Sequence, residues 1–142
     1  MQVKEIMTHN PEVVRPEALL QEVAEKMSTF DIGALPVCDG DRLLGLLTDR
    51  DITVRATAAG CDPIMIQVCD VMSTNLVYCF EDQDITEAAK LMEEQQVRRL
   101  PVLNHRHRLV GIVSLDDLAA GGDTQLAGET LKEVSKLAGP QH

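Results

Sequence analysis

The feature that most constrains this chain is an internal repeat. When residues 3–38 are laid on 68–103, Val3/Val68, Met7/Met72, Asn10/Asn75, Glu22/Glu87, Ala24/Ala89, Met27/Met92, Leu35/Leu100, Pro36/Pro101 and Val37/Val102 coincide. Composition alone would give about two or three such identities. One extra residue near Arg106 moves the offset from 65 to 66, and then Arg42/Arg108, Leu43/Leu109, Gly45/Gly111 and Asp51/Asp117 coincide, with Thr48 facing Ser114. That period is too long for a solenoid repeat and points to two copies of a small subdomain related by a pseudo-twofold axis. The first copy spans 1–60, a linker 61–67, the second copy 68–120 and a tail 121–142.

Each copy carries the same element pattern. A short segment, VKEIM or VCDVM, precedes a brief strand, EVV or LVYCF. Leu20, Val23, Ala24, Met27 and Phe30 then recur at helical spacing, as do Ile85, Ala88, Ala89 and Met92 in the second copy. Two strands follow, ALPVC and RLLGLLT, joined by a DGD turn that becomes a basic NHRH turn in the second copy. A second helix begins at TDRD or SLDD, and in the first copy Gly60 and Pro63 stop it. The apolar runs LLGLL and LVGIV imply strands buried on both faces. The order is β-α-β-β-α per copy, an α/β arrangement with half packed against half. In the tail, Leu126, Ala127, Leu131, Val134 and Ala138 mark one face of a short helix, read as a packing or dimer-contact appendage.

Composition narrows the function classes. The 142 residues include 13 Lys+Arg against 23 Asp+Glu, a net charge of -10. This balance counts against nucleic acid and anionic membrane surfaces, both of which recruit cations. No run approaches 18 apolar residues and the start has no hydrophobic leader, so the chain reads as soluble and cytoplasmic. Cys38, Cys61, Cys69 and Cys79 form no C-x-x-C pair and lie away from His105-x-His107 in sequence. They read as small buried thiols rather than metal ligands.

The sharpest local pattern is Gly45-Leu-Leu-Thr48-Asp-Arg-Asp51, matched by Gly111-Ile-Val-Ser114-Leu-Asp-Asp117. A hydroxyl followed three residues later by an acid is a capping box that satisfies free helix N–H groups. The same groups can serve a ligand, the hydroxyl meeting a phosphate and the carboxylate accepting both hydroxyls of a ribose. Two copies in register favour the ligand reading.

GALPVCDGDRLLGLLTDRDI and VRRLPVLNHRHRLVGIVSLDDL, with VKEIMT and VCDVMS ahead of them, resemble the CBS domain motif. The tandem copies resemble a Bateman module, a stand-alone CBS-domain pair of the bacterial stress-associated type, over about residues 3–120. The resemblance implies two β-α-β-β-α units packed sheet to sheet, leaving two clefts, and a homodimer. It also implies an adenosine-containing regulatory ligand in those clefts (AMP, ADP, ATP or an S-adenosyl compound) and no catalytic cofactor. Carried over by position, Asp51 and Asp117 take the ribose, beside the hydroxyls of Thr48 and Ser114; Thr8 and Ser73 follow the leading segments. Val13, Ile32, Gly33 and Ala34 flank adenine in one cleft, Tyr78, Val97, Arg98 and Arg99 in the other, and Leu46 and Ile112 line the floors. Tyr78 either stacks on adenine or fills its place. VRRLPVLNHRHR is the one strongly basic window, either a solvated charge run or, through Arg98 and Arg99, a phosphate site. The Thr48/Asp51 cleft is the expected nucleoside site, with Arg98 or Arg99 assisting a phosphate.

No Ser-His-Asp or Cys-His pattern and no Walker-type loop occurs, so catalysis is not expected. Two function classes remain. One is a ligand sensor whose output passes in trans to a protein partner; the other is an interaction dimer with vestigial clefts.

Overall fold

Local pattern becomes local structure along most of the computed structural model, which describes residues 1–121 and 123–136. The elements are β1 (Thr8–His9), α1 (Leu20–Phe30), β2 (Ala34–Asp39), β3 (Arg42–Thr48), α2 (Asp49–Asp51), β4 (Cys79–Phe80), α3 (Ile85–Gln95), β5 (Arg99–Leu103), β6 (Leu109–Ser114), α4 (Leu115–Ala120) and α5 (Thr124–Lys136). Single 3-10 turns at Val3–Glu5 and Val68–Asp70 open the copies, and α2 runs on as a π-helix over Ile52–Thr57.

The chain forms two compact units, one from residues 11–76 and the other from 1–10 with 77 onward. The copies therefore exchange their leading segments. VKEIMT joins the second copy and VCDVMS the first. The boundaries at 60/61 and 67/68 follow the order of the copies along the chain, whereas the units follow packing.

In the second-copy unit the sheet order is β1-β6-β5-β4, with β1 antiparallel to β6 (Thr8 opposite Ile112) and β4 parallel to β5 (Cys79 opposite Val102). The first-copy unit repeats this with fewer pairings. Its β2–β3 hairpin is flanked by a parallel bridge, Val14–Val37, and an antiparallel one, Leu46–Ser73. The repeated glycine at 111 has a physical reason within this chain: a β-carbon there would lie 2.8 Å from the Thr8 carbonyl oxygen and 2.5 Å from Met7 Sδ. Only a glycine lets the exchanged segment come this close.

Apolar burial drives each unit. Val14, Leu20, Val23, Met27, Leu35, Val37 and Leu47 fill one core; Met7, Met92, Leu100, Val102, Val113 and Leu118 belong to the other. Ala24 and Phe30, read as part of the α1 stripe, are exposed. At 100° per residue both lie about 60° off the Leu20–Val23–Met27 line. In α3 the stripe is wider: Ala88 and Ala89 are both buried, and α5 packs on α3 and α4. The strand burial also differs from the expectation: Leu43, Gly45 and Leu47 are buried while Leu44 and Leu46 are half-buried, the alternation of a pleated strand.

The tail helix forms over Thr124–Lys136, buried on Ala127, Thr130 and Val134. Leu131 is 43% exposed rather than inward, because the contact line follows i, i+3 and i+7 from Ala127. Thr130 enters the core by donating its hydroxyl to the Leu126 carbonyl at 2.8 Å. Ala138 lies outside the described residues. Of the four cysteines read as buried, Cys38 and Cys79 are buried, whereas Cys61 is half-buried and Cys69 exposed. Burial, with help from Asp41, pushes the Cys38 thiol up to about 11, and burial pushes Cys79 up to about 12, so both stay protonated at neutral pH.

Candidate functional site

The hydroxyl–carboxylate pairs sit where a strand turns into a helix. In the first-copy unit the Asp51 N–H donates to Thr48 Oγ1 at 3.1 Å and the Thr48 N–H donates to Asp51 Oδ2 at 3.0 Å. In the second-copy unit the Asp117 N–H donates to Ser114 Oγ at 3.2 Å and the Ser114 N–H to Asp117 Oδ2 at 2.9 Å. The capping reading is therefore realised in both copies. It leaves each carboxylate with Oδ1 for other use.

The backbone around the pairs repeats as well. Asp49 N–H donates to the Gly33 carbonyl at 2.9 Å, and Leu115 N–H donates to the Arg98 carbonyl at 3.0 Å. Ala34 faces Thr48, and Arg99 faces Ser114. Each hairpin's first strand thus begins beside the capping hydroxyl. The exchanged segments bring the next hydroxyls: Ser73 exchanges two backbone bonds with Leu46 (3.1 and 2.9 Å), and Thr8 stands opposite Ile112. Hence Val13, Ile32, Gly33, Ala34, Leu46, Thr48, Asp51 and Ser73 share one unit, and Thr8, Tyr78, Val97, Arg98, Arg99, Ile112, Ser114 and Asp117 share the other. Thr8 and Ser73 are exchanged relative to the order of the copies in sequence.

The two carboxylates have different neighbours. Asp51 Oδ1 lies 3.7 Å from Arg55 Nε, one helical turn on. The i, i+4 spacing of Arg55 from Asp51 is the one sequence signal for this pair. Asp117 has no basic side chain in ion-pair range among the described residues. Burial pushes its carboxyl above the usual range, the Ser114 hydrogen bonds draw it back, and Asp116 pushes it further up. Its Oδ1 still reaches solvent, since Gln96 Oε1 is the one fully buried, unpartnered side-chain oxygen or nitrogen among the described residues.

Tyr78 belongs to a ring cluster. Its ring meets Phe80 edge-on at 5.7 Å and His107 at 6.4 Å, while His105 stacks on Phe80 at 5.2 Å. His105 Nε2 is 2.6 Å from Asp82 Oδ2, and this hydrogen bond holds the Asp82 carboxyl below the usual range. Tyr78 and Phe80 wall a groove of about 410 Å³ with Gln83, Glu87, Lys90, Leu91 and Glu94. The basic window thus contributes His105 and His107, both in the turn between β5 and β6, to an aromatic cluster. Arg98 is exposed and Arg99 half-buried.

Two α/β units that share one hydroxyl–carboxylate turn and exchange their leading segments define a class of tandem-repeat proteins. The chain belongs to the CBS domain family, whose model matches residues 3–56 and 68–121. It is 41% identical over 134 residues to CBS domain-containing protein YhcV of Bacillus subtilis, covering 94% of each chain. Identity to hypoxic response protein 1 of Mycobacterium tuberculosis is 43% over 117 residues, 82% of this chain and 81% of that protein. A crystal structure of Hypoxic Response Protein I with two coordinated zinc ions matches with a TM-score of 0.78 at 41% identity, over 84% of this chain and 98% of that one. The CBS domain pair of MJ0100, in complex with 5-methylthioadenosine and S-adenosyl-L-methionine, matches with a TM-score of 0.74 at 26% identity, over 84% and 98%. Among the described residues here, no three His, Cys, Asp or Glu side chains are grouped to hold a metal ion, and no helix is long and apolar enough to cross a membrane.

Proposed function

We propose that the chain is a non-enzymatic, cytoplasmic sensor that binds an adenosine-containing ligand through Asp51 and Asp117. The observation that carries this reading is the reciprocal Thr48–Asp51 and Ser114–Asp117 pairing, which fixes each carboxylate through Oδ2 and keeps Oδ1 out of the cap, faced in Asp51 by Arg55. A vicinal diol offers two O–H donors, and a carboxylate offers acceptors only, so the match is one of chemical type. Ser73 and Thr8 add a hydroxyl on the adjacent segment of each unit. Arg99, opposite Ser114, supplies a planar guanidinium for a phosphate, with Arg98 beside it. The adenosyl compounds held by the related MJ0100 pair support the ligand class.

Ligand binding biases the protein between packing states, and the output passes in trans from a homodimer to a protein partner. The test is a thermal-shift screen with AMP, ADP, ATP, adenosine and S-adenosylmethionine. Ligand at 100 times its dissociation constant adds about 2.7 kcal/mol of stability. A shift lost in the Asp51→Ala, Asp117→Ala double variant is the expected result. No shift with any of them overturns the sensor in favour of an interaction dimer with vestigial sites.

A further inference from the structure

The two carboxylates are equivalent in the repeat but not in what stands behind them. Arg55 Nε faces Asp51 Oδ1 at 3.7 Å, and Arg55 Nη1 donates to the carbonyls of Val71 at 3.3 Å and Met72 at 3.4 Å. One guanidinium therefore ties the carboxylate to the exchanged segment that carries Ser73. That segment runs on through Leu76, the last residue of its unit. In the other unit the position after the same turn is Gly121. A β-carbon there would lie 2.6 Å from Ile6 Cγ2 and 3.0 Å from the Asp117 carbonyl oxygen. Glycine offers no side chain there, so nothing of the kind links Asp117 to the Ile6–Met7 segment from that position.

Resting on the diol reading of Asp51, we propose that Arg55 makes that site the responsive one of the two: a diol that takes Asp51 Oδ1 frees Arg55, and Arg55 in turn releases the Val71 and Met72 carbonyls. The direction follows from the distances. A hydroxyl donating to a carboxylate sits at about 2.5–2.7 Å, far closer than the contact it replaces. The arginine side chain is 53% exposed, so once the carboxylate is engaged it is held only by one nitrogen shared between two long bonds to neutral carbonyls. Such bonds do not offset the rotamer freedom that an exposed arginine regains. Arg55 is a positioning residue, acting on the ligand through Asp51 and on the segment through its carbonyls. Occupancy is thereby converted into loosening of residues 71–76.

The experiment uses the full chain and adenosine as the probe, with calorimetry for binding and hydrogen–deuterium exchange for residues 71–76. Asp117→Asn isolates the Asp51 site. In that protein adenosine should raise exchange of 71–76 about fivefold, the low end of ordinary coupling between sites. Adding Arg55→Met should make exchange fast without ligand and insensitive to it, while adenosine binds more tightly because no cation competes for the carboxylate. A merely structural arginine would change the basal rate but leave the response to ligand intact. Binding that depends on Asp51 without faster exchange, or a response surviving in Arg55→Met, overturns the role of Arg55 alone. Adenosine binding to the wild type but not to the Asp117→Asn protein overturns the Asp51 site and leaves the diol reading on Asp117. No binding to the wild type removes the diol reading, and this inference with it.

Discussion

Gly45 lies directly beneath Ser73: a β-carbon on Gly45 would sit 2.6 Å from the Ser73 carbonyl oxygen and 3.0 Å from Met72 Sδ. This approach lets Ser73 and Leu46 exchange their two backbone bonds, and so it holds the exchanged segment to its unit. The nearer atom is backbone and cannot swing away as a side chain would. Gly45→Ala should cost about 1–3 kcal/mol, read as a shift in the urea midpoint with little change in slope. Gly111→Ala should cost a similar amount through the Thr8 carbonyl, although Met7 can turn aside.

Asp117 stands on the other side of a stability–binding balance. Its carboxyl is raised above the ordinary value of 3.8 mainly by burial. A raised acid in the folded state contributes stability that is complete below 3.8 and is lost as pH rises through the folded value. The cost of this partial burial falls on the ionised form of the carboxyl. Asp117→Asn keeps an oxygen for the Ser114 N–H and carries no charge. Its melting temperature should exceed that of the wild type at pH 7, the gain should vanish in acid, and adenosine binding in the second-copy unit should be lost. A variant melting below the wild type at pH 7 would contradict the sign.

The capping hydroxyls have a structural share that can be measured apart from any ligand. Ser114→Ala removes the acceptor of the Asp117 N–H and should cost about 1 kcal/mol, whereas Ser114→Thr retains it and should cost much less. Thr48→Ala should behave like Ser114→Ala, with Thr48→Ser as the conservative partner. Chemical denaturation of the four proteins distinguishes these outcomes.

Most of the element order was legible because the repeat doubled every signal. Leu20, Val23 and Met27 in one copy and Ile85, Ala88 and Met92 in the other carry the same helix, and both fall where expected. The exchange of leading segments was not legible, because VKEIMT and VCDVMS have the same pattern and either could pair with either sheet. Only the contacts of Thr8 with Ile112 and of Ser73 with Leu46 decide it. At the candidate site, Thr48, Asp51, Ser114 and Asp117 are legible from spacing, while Arg55, its i, i+4 spacing apart, is indistinguishable in sequence from any other residue of a helix that continues the motif. Its importance depends on a turn of π-helix and on carbonyls 16 and 17 residues away, which no local pattern contains. The ring stack of His105 on Phe80 was hidden for the same reason, since it joins a hairpin turn to an edge strand.

The tail helix tests which face a marginal amphipathic pattern commits to. Leu131 and Val134 are both apolar and three residues apart, yet Val134 is 7% exposed and Leu131 43%. α5 docks on α3 and α4 and places Ala127 and Val134 in the second-copy core. The Gln96 side chain fastens the junction, its Nε2 donating to the Glu133 carbonyl at 3.2 Å and the Glu93 carbonyl at 2.7 Å. Val134→Ala deletes two buried methyl groups and should cost about 2 kcal/mol by transfer and cavity terms together. Leu131→Ala removes a larger side chain from a half-open position and should cost less than about 0.5 kcal/mol. The order of the two costs in urea denaturation checks the docking face: equal costs, or a larger one for Leu131, would place a partner surface over the outer side of α5.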